Sequence, residues 1–187
     1  MQFYNSSSRY GAVAMTFHWV TAVVVVGLFS VGLWMEDMDY GNPWYKTAPH
    51  WHKSVGVLLV TFMLARLLWR LKSPPPPPLN THTSWEKRAA KIAHALLYVL
   101  IFLMLPTGYL ITTAQGQGLD VFNWFTIPAV ITSVSNLEDY AGEVHEIIAF
   151  SIIGIAIIHM LGALKHHFID KDRTLKRMLG VSSGNDT

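Results

Sequence analysis

VHEIIAFSIIGIAIIHMLGAL, residues 144–164, is an apolar run of membrane-spanning length with two histidines set into it, His145 and His159. The fourteen-residue step between them rises about 21 Å as α-helix and completes almost four turns, so both imidazoles leave nearly the same face. A bilayer's apolar core is about 30 Å thick, which puts one ring toward each side. Between them on that face lie Ala149, Ile152 and Ala156, two of them small enough to let a flat macrocycle lie close. A lone histidine at such depth can be satisfied by a hydrogen bond to a neighbouring helix, because an unpaired polar group is costly in hydrocarbon. Two at this spacing, with further histidines available as partners, fit haem iron better, and neutral imidazole is a good ligand for it. The run reads as one helix holding two stacked haems, one per leaflet.

The whole chain agrees with a membrane setting. Of its 187 residues 51% are hydrophobic and only 14% charged, against roughly 25% charged in soluble proteins. Mean hydropathy is +0.31. There is no cysteine, which excludes disulfides, thiolate haem ligation, iron–sulfur clusters and covalent haem attachment through CxxCH. The net charge of +2 gives no basis for nucleic-acid binding, and no glycine-rich phosphate loop is present. Only Arg9 precedes the first apolar run, and no small-residue cleavage site follows it, so that run reads as a retained helix.

Four spans are expected, at about 13–34, 52–71, 89–113 and 144–164, in a single membrane domain covering residues 1–187. Residues 1–12 read as a polar interfacial tail and 165–187 as a basic, then polar, tail. Five consecutive prolines at 74–78 cannot continue a helix and should extend as a stiff polyproline spacer. Pro106 and Gly108 should loosen the third span near its end. Residues 116–131 are too short and interrupted to cross, and their aromatics suit an interface. Arg66, Arg70, Lys72, Lys87, Arg88 and Lys91 flank the second-to-third connection, and five more Lys and Arg follow the fourth span. Lys46 and Lys53 stand alone on the other side. The positive-inside rule then makes this an all-α, integral membrane four-helix bundle with both termini cytoplasmic.

Orientation gives each histidine a depth. His18 and His159 fall toward the cytoplasmic side, His52 and His145 toward the outer side, and each pair can clamp one iron. His50 competes with His52 in HWHK, and neighbours on a helix start cannot be separated by sequence. His94, three residues from Lys91, lies shallower and suits a haem propionate or a quinone headgroup. His166 and His167 follow the last span, and His82 sits in a polar loop. Gly32 stands fourteen residues after His18, where a side chain would crowd the outer haem. Arg66 and Arg70 stand fourteen and eighteen after His52, on its stripe. Guanidinium at that depth can bind anionic propionates in a bidentate way or simply anchor the helix to headgroups.

FHW at 17–19, HKSVG at 52–56, ARLLWRLKSPPPPP at 65–78, AHALLYVLIFLMLPTGY at 93–109, GEVHE at 142–146 and IIHMLGALKHHFIDKDRTLKRM at 157–178 resemble the bacterial cytochrome b561 family across nearly the whole chain. The resemblance implies two b haems with bis-histidine ligation from His18, His52, His145 and His159. It also implies a bacterial inner-membrane superoxide:quinone oxidoreductase, passing electrons from outer superoxide to ubiquinone near the cytoplasmic haem and His166. One departure stands out: the stretch between the third and fourth spans carries Asp120, Glu138, Asp139 and Glu143 and no Lys or Arg. A positive funnel for an anion is missing there. A second expectation follows, a haem-bearing anchor that exchanges electrons between quinone and a partner redox protein. A third, non-redox expectation is a transporter using histidine as metal ligand.

Overall fold

The computed structural model describes residues 2–132 and 134–181. Four long helices dominate: α1 (Ala12–Glu36), α2 (Thr47–Lys72), α3 (Ser84–Thr113) and α4 (Leu137–Phe168). Between α3 and α4 lies a two-stranded antiparallel hairpin, β1 (Leu119–Val121) with β2 (Phe125–Ile127), and α4 is followed by the short α5 (Thr174–Met178). All four long helices are apolar and long enough to cross a membrane. At 25 to 32 residues they rise about 38–48 Å, more than an apolar core of about 30 Å. Large apolar side chains such as Val23, Leu68, Val99 and Ile158 lie exposed along them, as lipid-facing residues do.

The helices overrun the apolar runs for local reasons. Pro49 is tolerated in the first turn of α2, so the helix begins at Thr47. The start of α3 carries one arm of a capping box: Thr83 N–H donates to Glu86 Oε2 at 2.8 Å, and the Thr83 hydroxyl donates to the same oxygen at 2.7 Å. α4 opens with Glu138 and Asp139 and closes with Lys165, His166 and His167, charges that suit the two ends of the helix dipole.

The chain divides into two units, each drawing on all four long helices. The first gathers the chain up to Thr21, Phe62–Tyr98 and everything from Gly154. Its N-terminal segment is pinned in place: Asn5 donates from its backbone to Ser73 Oγ and from its side chain to the Ser73 and Pro74 carbonyls. Tyr4 stacks on Trp69 at 5.1 Å. The proline spacer is fastened from the other terminus, where buried Arg177 donates to the Pro77 carbonyl at 3.1 Å. Trp19 Nε1 donates to the Met178 carbonyl at 2.9 Å, so the residues expected as a C-terminal tail include a docked helix.

The second unit gathers Ala22–Thr61 and Val99–Ile153. Its hairpin lies within 116–131, the stretch expected not to cross the membrane. Leu119 and Val121 bury their side chains, and Phe122 and Asn123 take the turn with φ of 50° and 58°. Asparagine tolerates that region and phenylalanine does not, so Phe122 needs holding. Its N–H donates to the fully buried Ser54 Oγ at 3.0 Å, and its ring packs edge-on to Trp51 at 5.4 Å. Replacing Ser54 by Ala strands that N–H, a loss of about 1–3 kcal/mol. We expect a lower thermal midpoint in detergent and faster amide exchange at Phe122.

Candidate functional site

Each unit holds a pair of facing imidazoles. In the first unit His18 on α1 meets His159 on α4, with ring centres 6.3 Å apart. In the second His52 on α2 meets His145 on α4 at 6.4 Å. An imidazole nitrogen binds a metal at about 2.0–2.1 Å and lies about 1.15 Å from its ring centre, so two rings on opposite sides of one iron stand about 6.3–6.5 Å apart. Both pairs meet that requirement. The ring of His94 on α3 lies 4.9 Å from that of His159, too close for the two to share an iron in that way. It flanks the first pair. His50 turns away from the second pair, with Nδ1 3.7 Å from Asp120 Oδ2.

Small residues give the second pair its room. A Cβ on Gly32 would sit 3.6 Å from His52 Cε1, and one on Gly108 only 3.3 Å from His145 Cε1. Nδ1 of His52 is buried with no hydrogen-bond partner among the described residues, while His145 Nδ1 lies 2.9 Å from Thr107 Oγ1.

Arg66 turns to the first pair, with Nη2 3.2 Å from His18 Nδ1 and its guanidinium 5.4 Å over the Tyr98 ring. Guanidinium only donates, so His18 accepts at Nδ1 in this arrangement. Ligation through Nε2 would move the ring proton to Nδ1 and turn that contact repulsive. Arg66 would then swing aside, its charge free for an anionic group such as a propionate. Arg70, four residues on, is exposed.

The first unit also carries a polar cluster that no sequence motif marks. Buried Asp172 accepts from Thr81 Oγ1 at 3.3 Å and from the Thr174 N–H at 2.8 Å, and its Oδ2 stands 3.1 Å from His82 Nε2. His166 Nδ1 lies 2.7 Å from Asp170 and 3.2 Å from Asp172, without the alignment of a hydrogen bond. The rings of His82 and His166 lie 4.1 Å apart. Lys165 bridges Glu86 and Asp170 at 2.7 Å each. His82, placed by sequence in a polar loop, is half-buried and engaged.

The prokaryotic cytochrome b561 family matches residues 9–181. The chain belongs to that family. It is 45% identical to cytochrome b561 homolog 2 of Escherichia coli (strain K12) over 99% of this chain and 98% of that one. Identity is 28% to cytochrome b561 homolog 1 of the same organism, over 92% of this chain and 97% of the relative. It is also 28% to a probable superoxide oxidase CybB of Yersinia pestis, over 94% and 98%. Family membership with four spanning helices makes this a multi-pass membrane protein of electron transfer, with b-type haem as the family's cofactor.

Of the residues singled out by sequence, His18, His159, His94 and Arg66 come together in one unit, and His52 with His145 in the other. Thr107 went unnoticed because a threonine in an apolar helix carries no signal of its own, although Pro106 and Gly108 on either side did. Asp172 and His82 are ninety residues apart, and only tertiary structure joins them.

Burial alone would raise the pKa of Asp172, but hydrogen bonds from Thr174 and the charges of His166 and His82 outweigh it and hold the carboxyl below its usual range. A group so depressed stabilises the fold above its unfolded pKa of about 3.9 and loses that contribution as pH falls through the native value. Asp172→Asn should melt lower than the parent at neutral pH. Melts repeated from pH 6 downward should show the gap closing only below about pH 4.

Proposed function

We propose that the chain holds two b haems, one between His18 and His159 and one between His52 and His145, and transfers electrons across the bacterial inner membrane from superoxide to ubiquinone. The observation that carries this reading is the pair of matched imidazole separations, 6.3 and 6.4 Å, each the span of a single iron with two axial nitrogens. Haem bound at both pairs would supply one-electron transfer, with both axial positions taken and none open for ligand chemistry at the metal.

Charge supports the orientation. Twelve of the fourteen Lys and Arg and four of the twelve Asp and Glu belong to the first unit, a formal +8, while the second has two and eight, a formal −6. The first unit, with both termini, is then the cytoplasmic one. Ubiquinone reduction takes two electrons and two protons; two superoxide anions give one electron each and leave as dioxygen. The protons would come from the cytoplasmic side, where His166 stands between Asp170 and Asp172 and His94 flanks the first pair. Arg66 would compensate the propionates there.

A second reading rests on the −6 of the outer unit. Superoxide is an anion, and only Lys46 and Lys53 offer it positive charge, so a basic redox protein docks there more readily. The purified protein with a superoxide source and a soluble ubiquinone analogue separates the two. Quinol formation that quickens as salt screens the repulsion supports superoxide as donor, and no quinol formation favours the partner.

His159→Ala should lose about half of the haem and all transmembrane transfer while the His52/His145 spectrum persists, since each pair is to hold one of two haems. Full haem content in that variant would refute the assignment. Arg66→Leu should keep both haems and lower one midpoint in a redox titration, because a lost cation no longer favours the reduced, less positive iron. Unchanged midpoints with normal assembly would leave Arg66 as a lipid anchor only.

A further inference from the structure

We propose that Thr107 is the positioning residue that fixes the ring proton of His145 on Nδ1 and makes the His52/His145 centre the lower in potential of the two. The inference rests on the reading of His145 as an axial ligand and adds to it a reason for the direction of transfer.

A single hydrogen decides the direction of this contact. Thr107 Oγ1 has three polar neighbours: the Leu103 carbonyl at 3.1 Å, the Met104 carbonyl at 3.0 Å and His145 Nδ1 at 2.9 Å. Carbonyls only accept, so the hydroxyl hydrogen goes back to one of them, the usual habit of a helical threonine. What remains toward His145 is a lone pair. With the hydroxyl hydrogen so placed, Nδ1 is the donor of that contact, and Nε2 is left with the lone pair a metal needs.

Sequence neighbours make the contact possible. Pro106 has no N–H to give the carbonyl four residues back, which loosens α3 one step before Thr107. Gly108 lets the helix come close, since a Cβ there would stand 3.3 Å from His145 Cε1 and 3.6 Å from Nδ1. The tripeptide at 106–108 is thus a seat for one imidazole, with the hydroxyl at its centre.

A hydrogen bond accepted from the distal N–H of a ligating histidine strengthens that ligand as a base and favours the oxidised metal. The other centre has the opposite neighbour in Arg66, a cation that cannot accept a proton from His18 Nδ1 and whose charge would stay beside that centre once it swings aside. One centre is pulled down in potential and the other held up. That order biases one-electron transfer toward the His18/His159 centre.

The test is a spectroelectrochemical titration of the haem-loaded, full-length protein. Thr107→Val keeps shape and removes the acceptor. It should retain both haems and move the lower midpoint upward by roughly a tenfold change in the reduction equilibrium, about 59 mV for one electron, with the upper midpoint in place. Thr107→Ser should restore the parent value. If Val and Ala variants drop the haem of this centre while Ser retains it, the hydroxyl is again what holds the ring. An unmoved lower midpoint, a shift that Ser does not reverse, or loss of haem in all three variants would overturn the proposal. His145→Ala tests the underlying reading separately: if it keeps both haems, His145 is not a ligand, whatever Thr107 does.

Discussion

A neutral imidazole inside an apolar helix needs a partner, and in this protein four histidines of the long helices stand in two facing pairs. His18 faces His159 and His52 faces His145, across gaps too wide for direct hydrogen bonding and of the width one axially ligated metal fills. Much of the surrounding architecture answers to that constraint. Gly32 and Gly108 stand where a larger side chain would press on a ring, and α4 supplies one ring to each pair. Helices long enough to cross a membrane hold these residues without a large buried core, their outward faces being left to lipid.

Charge is the second organising term, and it falls on the two units unequally. Lys and Arg crowd into the unit that contains both ends of the chain, where Arg177 fastens the proline run and Lys165 ties the start of α3 to the end of α4. The polyproline segment is thereby a packed strut, with its carbonyls engaged by Asn5 and Arg177. The other unit is acidic and closed by a hairpin that hangs on one buried serine hydroxyl. An anionic substrate would reach that face against the field, which is why its donor is a matter for experiment and not for likeness to a relative at 28% identity.

The two histidine pairs differ in what stands behind them. An acceptor lies at His145, a cation at His18 and no hydrogen-bond partner at His52 Nδ1 among the described residues. Identical rings then stand in unlike surroundings, because the hydrogen-bond partners beyond a ring set its tautomer and basicity.

The four apolar helices, the uneven placement of charge and the four spaced histidines are legible in the residue order. Each of these rests on composition or on the fixed rise and turn of a single helix, which need no neighbour to be legible. Pairing needed the third dimension. Tertiary structure turned His52 toward His145 and His50 toward Asp120, brought Thr107 against His145, joined His82 to Asp172 across ninety residues, and folded 119–127 into a hairpin. Those outcomes depend on which helix faces are brought together, and a one-dimensional period records the face a side chain leaves from but not the atom it meets.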